Sequence, residues 1–194
     1  LYPKLIETIK IQNGTIGNLA YHNARLNRTR RELFGCFEPI DLHTHIAPPK
    51  AQQLYRCRIT YAQEIETIEY IPYTPKEQKD FRVAQSDIDY PYKYANRETL
   101  DRLKAQFAHC DDIIVVHKGV LKDTTIANIA FFDGKIWWTP KEPLLAGTMR
   151  QYLLDNRKIQ AKELKIDEIS SYHGFAIMNA MVGFKVIKDY TIRS

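Results

Sequence analysis

Tyr90-Pro-Tyr-Lys93-Tyr-Ala-Asn-Arg97 sets one lysine between two tyrosines, in a segment punctuated by proline, and the rest of the chain is read outward from it. Toward the C-terminus, residues 98–109 carry Leu100, Leu103 and Phe107 at helical spacing and predict an amphipathic helix. A dense strand region follows: 113–117, a turn at Lys118-Gly119, 125–132, a hairpin turn at Asp133-Gly134, and 135–139. A helix over 147–156 and a strand over 184–187 complete this side. Toward the N-terminus, residues 4–12 alternate as a half-buried strand, and Asn13-Gly14 supplies a hairpin turn. Apolar residues then shift to helical spacing over 21–34, with Gly35 placed to end the helix. Two strands are predicted at 54–62 and 65–71, and 72–91 reads as an irregular connection with one short strand near 81–84. The pattern is α+β with two lobes: a small N-terminal lobe over 1–86, a connection over 87–94, and a larger lobe over 95–194. Hairpin-linked strands favour a largely antiparallel sheet.

Composition narrows the function classes. The 194 residues suffice for one domain or two small lobes, and 44% hydrophobic with 26% charged residues is ordinary for a globular protein. No apolar run approaches the roughly 18 residues that span a bilayer, and no apolar leader opens the chain, so a cytoplasmic protein is expected. Cys36, Cys57 and Cys110 are scattered, which argues for reduced thiols over a disulfide framework or zinc site. The net charge of +5 is modest, and the basic run from Arg25 to Arg31 reads as a solvated helix face; no nucleic-acid partner is expected. His43 and His45 form a His-x-His pair without a third ligand at a suitable spacing, so no metal is expected.

The candidate chemistry lies in an ordered set. Lys93, partly desolvated by its flanking tyrosines, would have a lowered pKa and an amine able to form a Schiff base; an ordinary exposed lysine fits the local sequence as well. Asp123, ahead of an apolar stretch that runs through Asn128, needs a cationic partner if it points inward, and otherwise sits in a turn. Gly147-Thr148-Met149 opens a helix whose backbone N–H groups suit a phosphate, although Thr148 equally suits a plain cap. Arg25 shares a helix face with His22 and could add a guanidinium. A lysine, a carboxylate and a glycine turn at a helix start are what is needed to hold pyridoxal 5'-phosphate by its aldehyde, ring nitrogen and phosphate.

These residues resemble the fold type IV pyridoxal-phosphate enzymes, the class IV aminotransferase family, over nearly the whole chain. Ile6-Glu-Thr-Ile9 is similar to the family's Phe-Glu-Thr strand, and His22-Asn-Ala-Arg-Leu26 to its His-x-x-Arg-Leu helix, which implies that Arg25 binds the cofactor phosphate. Lys93-Tyr-Ala-Asn-Arg97 resembles the Lys-x-x-Asn-Arg form found in 4-amino-4-deoxychorismate lyase, whose lysine bears the Schiff base. Asp123 to Asn128 resembles a Glu-x-x-x-x-Asn strand, with Asp one methylene shorter than the usual Glu. Thr139-Pro140 and Gly147-Thr-Met-Arg150 resemble the phosphate-cup elements, and Met178-Asn-Ala-Met181 the lyase's Asn-Ala-Leu, which brings Asn179 into the set. The resemblance implies a two-lobed fold shortened at the N-terminus, a homodimer, and an anionic amino substrate. It also implies a lyase releasing 4-aminobenzoate and pyruvate for folate synthesis. The alternatives are a branched-chain or D-amino acid aminotransferase and a non-catalytic relative.

Overall fold

The computed structural model describes residues 2–193, which divide into two compact units. Among these residues the first comprises 2–75 and 92–96, the second 76–91 and 97–193. The division therefore falls earlier than residue 86, and Lys93 lies in a short excursion of the chain back into the first unit.

In the first unit, β1 (Leu5–Gln12) turns at Asn13-Gly14, both at positive φ, into β2 (Thr15–Ile16). The helix α1 (Leu19–Phe34) ends where Gly35 adopts φ 66°, its N–H bonded to Arg31 O at 3.1 Å and that of Cys36 to Arg30 O at 3.3 Å. This left-handed ending favours glycine. Strands β3 (Leu54–Tyr61) and β4 (Ile65–Pro72) pair antiparallel and complete the sheet order β2-β1-β3-β4. Leu5, Ile9, Ile11, Leu26, Ile59 and Tyr61 form its buried core.

The edge of β1 that pairs with β2 through Ile11 and Gln12 is taken near its other end by the returning segment. Ile6 N donates to Lys93 O at 2.9 Å, and Ala95 N to Lys4 O at 2.8 Å. Lys93 is thus held by sheet-like backbone pairing rather than left in an open loop.

The second unit begins with β5 (Asp80–Gln85) and α2 (Glu98–Ala105). β6 (Asp112–His117), β7 (Val120–Thr124) and β8 (Asn128–Phe132) follow. Next come β9 (Trp137–Pro140), α3 (Thr148–Asp155) and β10 (Gln160–Lys162). β11 (Gly174–Asn179), β12 (Gly183–Ile187) and β13 (Thr191–Arg193) finish the chain. One sheet has the order β13-β5-β6-β7 and the other β10-β9-β8-β11-β12. Phe81, Ile114 and Leu121 from the first join Ile129, Phe131 and Phe175 from the second in one core.

Three expectations are corrected. The predicted 125–132 strand is broken, because residues 125–127 form a turn and Asn128 starts a strand in the other sheet. Thr124 Oγ accepts from the N–H groups of Ile126 and Ala127 at 3.3 and 3.1 Å, which stabilises the turn against continued extension. The strand preceding it, β7, was not anticipated, so Asp123 lies within a strand and not ahead of one. Pairing is largely antiparallel, as expected, with parallel exceptions in the second unit: β5 with β6, β13 with β5, and β10 with β9. A parallel pair needs a crossover connection, and residues 86–111, with α2 and the Lys93 excursion, supply it for β5 and β6. Finally, α2 stops at Ala105, four residues short, where Lys104 Nζ donates to the carbonyls of Phe107 and Cys110 and draws the chain into a turn.

Candidate functional site

Alternation along β1 turns Leu5, Glu7, Ile9 and Ile11 to the same face, so a carboxylate points into an apolar core. Glu7 is fully buried, and α1 meets it with two residues three apart. Arg25 Nε donates to Glu7 Oε1 at 2.8 Å and Arg25 Nη2 to Oε2 at 2.5 Å, while His22 Nδ1 lies 2.6 Å from Oε2. Burial alone would raise the Glu7 pKa, but the Arg25 charge and the bonds from His22 and Arg25 outweigh it and hold the carboxyl down to about 2. Burial pushes His22 below its ordinary range against the pull of Glu7, and Arg25 and Lys93 add to the lowering. Neutral His22 facing an ionised carboxylate donates from Nδ1.

The second unit carries the other buried carboxylate. Asp123 on β7 accepts from Asn128 Nδ2 at 2.9 Å on Oδ1 and from Leu145 N at 3.0 Å on Oδ2. Burial raises its pKa to about 6 against these amide bonds and the charge of Arg150. Asn128 Nδ2 also donates to Leu145 O at 2.8 Å, tying β8 to the loop ahead of α3. Gly147 follows in that loop, and a Cβ on it would lie 2.0 Å from Asn128 Oδ1, so no larger residue fits without moving Asn128. Gly147 is the N-cap of α3 and supplies no side-chain cap, whereas Thr148 is buried in the first turn. An uncapped helix start concentrates N–H donors and the positive end of the helix dipole. Arg150 Nη2 anchors α3 to Pro140 O at 2.8 Å.

The structure therefore brings Asp123, Asn128 and Gly147 together, and in the first unit places Arg25 on Glu7 of β1, the strand whose edge pairs with the Lys93 segment. Met149 is half-buried and packs with Ala130, Leu153 and Met178. Asn179 organises a turn: its Oδ1 accepts from Met181 N and Val182 N at 2.9 and 3.0 Å, and its Nδ2 donates to Ile126 O at 3.2 Å. That last bond ties Asn179 to the turn following Asp123. Arg97 holds the same turn through Thr125 O at 2.9 Å, and Thr125 Oγ donates to buried Asp112 at 2.7 Å. Asp112 has no place in the sequence reading, and Glu7 and Arg150 stand there only within the motifs Ile6-Glu-Thr-Ile9 and Gly147-Thr-Met-Arg150, without roles of their own. An acidic residue at an inward position of an otherwise apolar alternating strand was the available signal for Glu7. Among the described residues no cluster of three or more potential ligands could hold a metal ion, and no helix is long and apolar enough to cross a membrane.

The family model of class IV amino-transferases matches residues 4–190. The chain belongs to the class IV aminotransferase family. Within it, this chain is 38% identical to an uncharacterized protein of Haemophilus influenzae over 192 residues, 94% of this chain and 100% of that one. A solved structure from Haemophilus somnus, described as a "putative 4-amino-4-deoxychorismate lyase", is 33% identical with a TM-score of 0.87, over 93% of this chain and 97% of that one. A Schizosaccharomyces pombe protein named "putative aminodeoxychorismate lyase" is 35% identical over 102 residues, 49% of this chain and 44% of its own length. The fold is also that of a Mycobacterium tuberculosis "hypothetical aminotransferase" solved in a PLP-bound form, at 14% identity and a TM-score of 0.80 over 98% of this chain and 81% of that one. The class IV aminotransferase fold expected from the motifs is thus the fold observed.

Proposed function

We propose that this class IV aminotransferase-family protein is a pyridoxal-phosphate-dependent lyase that converts 4-amino-4-deoxychorismate to 4-aminobenzoate and pyruvate, a step toward folate. The observation that carries the reading is the near full-length similarity to the Haemophilus somnus protein of that name. Asn96-Arg97 directly after Lys93 agrees with it.

The residues suit the cofactor. A buried carboxylate whose hydrogen-bond donors are neutral amides, and whose pKa is raised to about 6, favours a cation such as a protonated pyridine nitrogen beside it. The start of α3 suits a phosphate, and so, taken by itself, does the Arg25 guanidinium. Pyridoxal phosphate would supply an aldehyde that captures amines and a ring that withdraws electrons. In this reading Lys93 Nζ would be the group that holds the cofactor. The same Nζ would take the proton from the substrate carbon bearing the amine and deliver one to the departing enolpyruvyl group, which would leave as pyruvate. Loss of that group aromatises the ring and drives the step forward. Asp123, held in place by Asn128, would serve the ring nitrogen as an ionised partner, and Gly147, Thr148 and Met149 would offer backbone N–H groups to the phosphate. Asn179 acts through its hold on the turn after Asp123. By the same reading the protein is a homodimer, which sedimentation equilibrium tests.

The deciding experiment adds pyridoxal phosphate to the purified protein and then supplies aminodeoxychorismate without any 2-oxo acid. A visible absorbance band that is lost in Lys93→Ala, together with pyruvate release, is the expected result. Turnover that requires an added 2-oxo acid identifies a transaminase. Absence of the band in the wild type identifies a non-catalytic relative.

A further inference from the structure

The Glu7 cluster does more than the apolar core around it requires. Exchanging a buried ion pair for well-packed apolar residues is often neutral or stabilising, so stability alone gives little reason for a carboxylate at this inward position. Its geometry offers another reason. Both Glu7 oxygens are engaged by one edge of the Arg25 guanidinium, at 2.8 and 2.5 Å, in the planar fork that fixes direction as well as distance. His22 adds a third bond at 2.6 Å, fixing the carboxylate itself. All three side chains are buried.

We infer that Glu7 is a positioning residue for anion binding: clamped by His22, it sets the direction of the Arg25 guanidinium and thereby how tightly a phosphate ester is gripped. The inference rests on the reading of Arg25 as a phosphate ligand and adds what makes that arginine effective. Two effects of removing the Glu7 charge oppose one another. An unneutralised Arg25 attracts an anion more strongly through space, whereas an Arg25 that has lost its fork no longer points in one direction. The proposal is that direction wins.

Glu7→Gln separates the two. Whichever way the amide is turned, its NH2 faces at least one Arg25 N–H, so the fork loses a bond while side-chain volume is kept. Affinities are measured for pyridoxal phosphate and for pyridoxal, which lacks the phosphate, with inorganic phosphate as a competitor. Glu7→Gln is expected to weaken pyridoxal phosphate by about 10- to 100-fold, the range of one charge-assisted hydrogen bond, with pyridoxal unchanged and competition by phosphate reduced. Equal or tighter binding of pyridoxal phosphate overturns the inference. An equal loss for both ligands also overturns it, since that is what a merely structural role gives.

Arg25→Ala distinguishes this from a failure of the reading beneath it. If Arg25→Ala shows no phosphate-selective loss, the assignment of Arg25 is wrong and the inference goes with it. A loss in Arg25→Ala with none in Glu7→Gln overturns the inference alone. Should Glu7→Gln lack a cooperative unfolding transition, His22→Phe, which keeps the ring's bulk and removes the Nδ1 donor that fixes the Glu7 carboxylate, takes its place. It must then give a smaller loss that is still selective for phosphate; no selective loss overturns the proposal.

Discussion

Glu7 in the first unit and Asp123 in the second are equally buried carboxylates with opposite acidities. The first is held down to about 2 and the second raised to about 6. Burial pushes both the same way, so it cannot account for the difference. What differs is the partner: Glu7 receives a guanidinium and an imidazole, whereas Asp123 receives amide N–H groups, with Arg150 acting at a distance. A buried carboxylate is a stable anion where a cation is bonded to it; where only neutral donors are, it is poised to welcome one.

The largest expected effect tests the first half of this comparison. Glu7→Ala leaves Arg25 buried without its carboxylate and should lower unfolding free energy by roughly 3–5 kcal/mol, read from the denaturant midpoint. A loss no greater than that for trimming an exposed glutamate would mean that the fork contributes little.

Next comes the pH dependence of Asp123. Its pKa is raised from 3.8 to about 6 in the folded chain, so the folded state holds the proton more tightly. The resulting stabilisation is fully present below 3.8 and is lost as pH rises through about 6. Without cofactor, the protein should therefore lose on the order of 2 kcal/mol relative to Asp123→Asn between those limits. Thermal melts of the two proteins across this window check it, and parallel curves would show that Asp123 is not strained by ionisation. Glu7 has the opposite sign: its contribution is present above 4.5 and is lost as pH falls through about 2.

Gly147→Ala sharpens the comparison by disturbing Asp123 without touching it. The new methyl must displace Asn128 Oδ1, which lies 2.0 Å from the Cβ position, and with it the amide bonded to Asp123. A cost of about 1–3 kcal/mol is expected for such overpacking, with a further rise in the Asp123 pKa followed by carboxyl NMR titration. Arg97→Met should have the smallest effect. It removes one bond to Thr125 O, worth about 1 kcal/mol, and loosens the turn after Asp123, which faster amide exchange at residues 125–127 would reveal.

Legibility followed locality. The β1 hairpin, α1 and the β3–β4 pair were readable because their signals lie within a few residues: alternation, Asn13-Gly14, and Gly35 at a left-handed position. The Asp123–Asn128 spacing was noticed, but not that the chain changes sheets between them, because Thr124 to Ala127 look extended until Thr124 Oγ takes their N–H groups. The β5–β6 pairing was not readable for a different reason. Its partners are joined by a long crossover, and no local pattern announces a parallel neighbour.

The sequence by itself determined the α+β class, the order of the motifs, and the identities of Lys93, Arg25 and Asp123 as candidates, since these rest on residue type and short spacing. Tertiary structure decided what each group faces. It set Arg25 against Glu7, gave Asp123 amides in place of a bonded cation, and paired the Lys93 segment with β1. The physical reason is that charge state and direction depend on atoms brought close by folding from distant parts of the chain, and a linear pattern does not specify which cation meets which buried carboxylate.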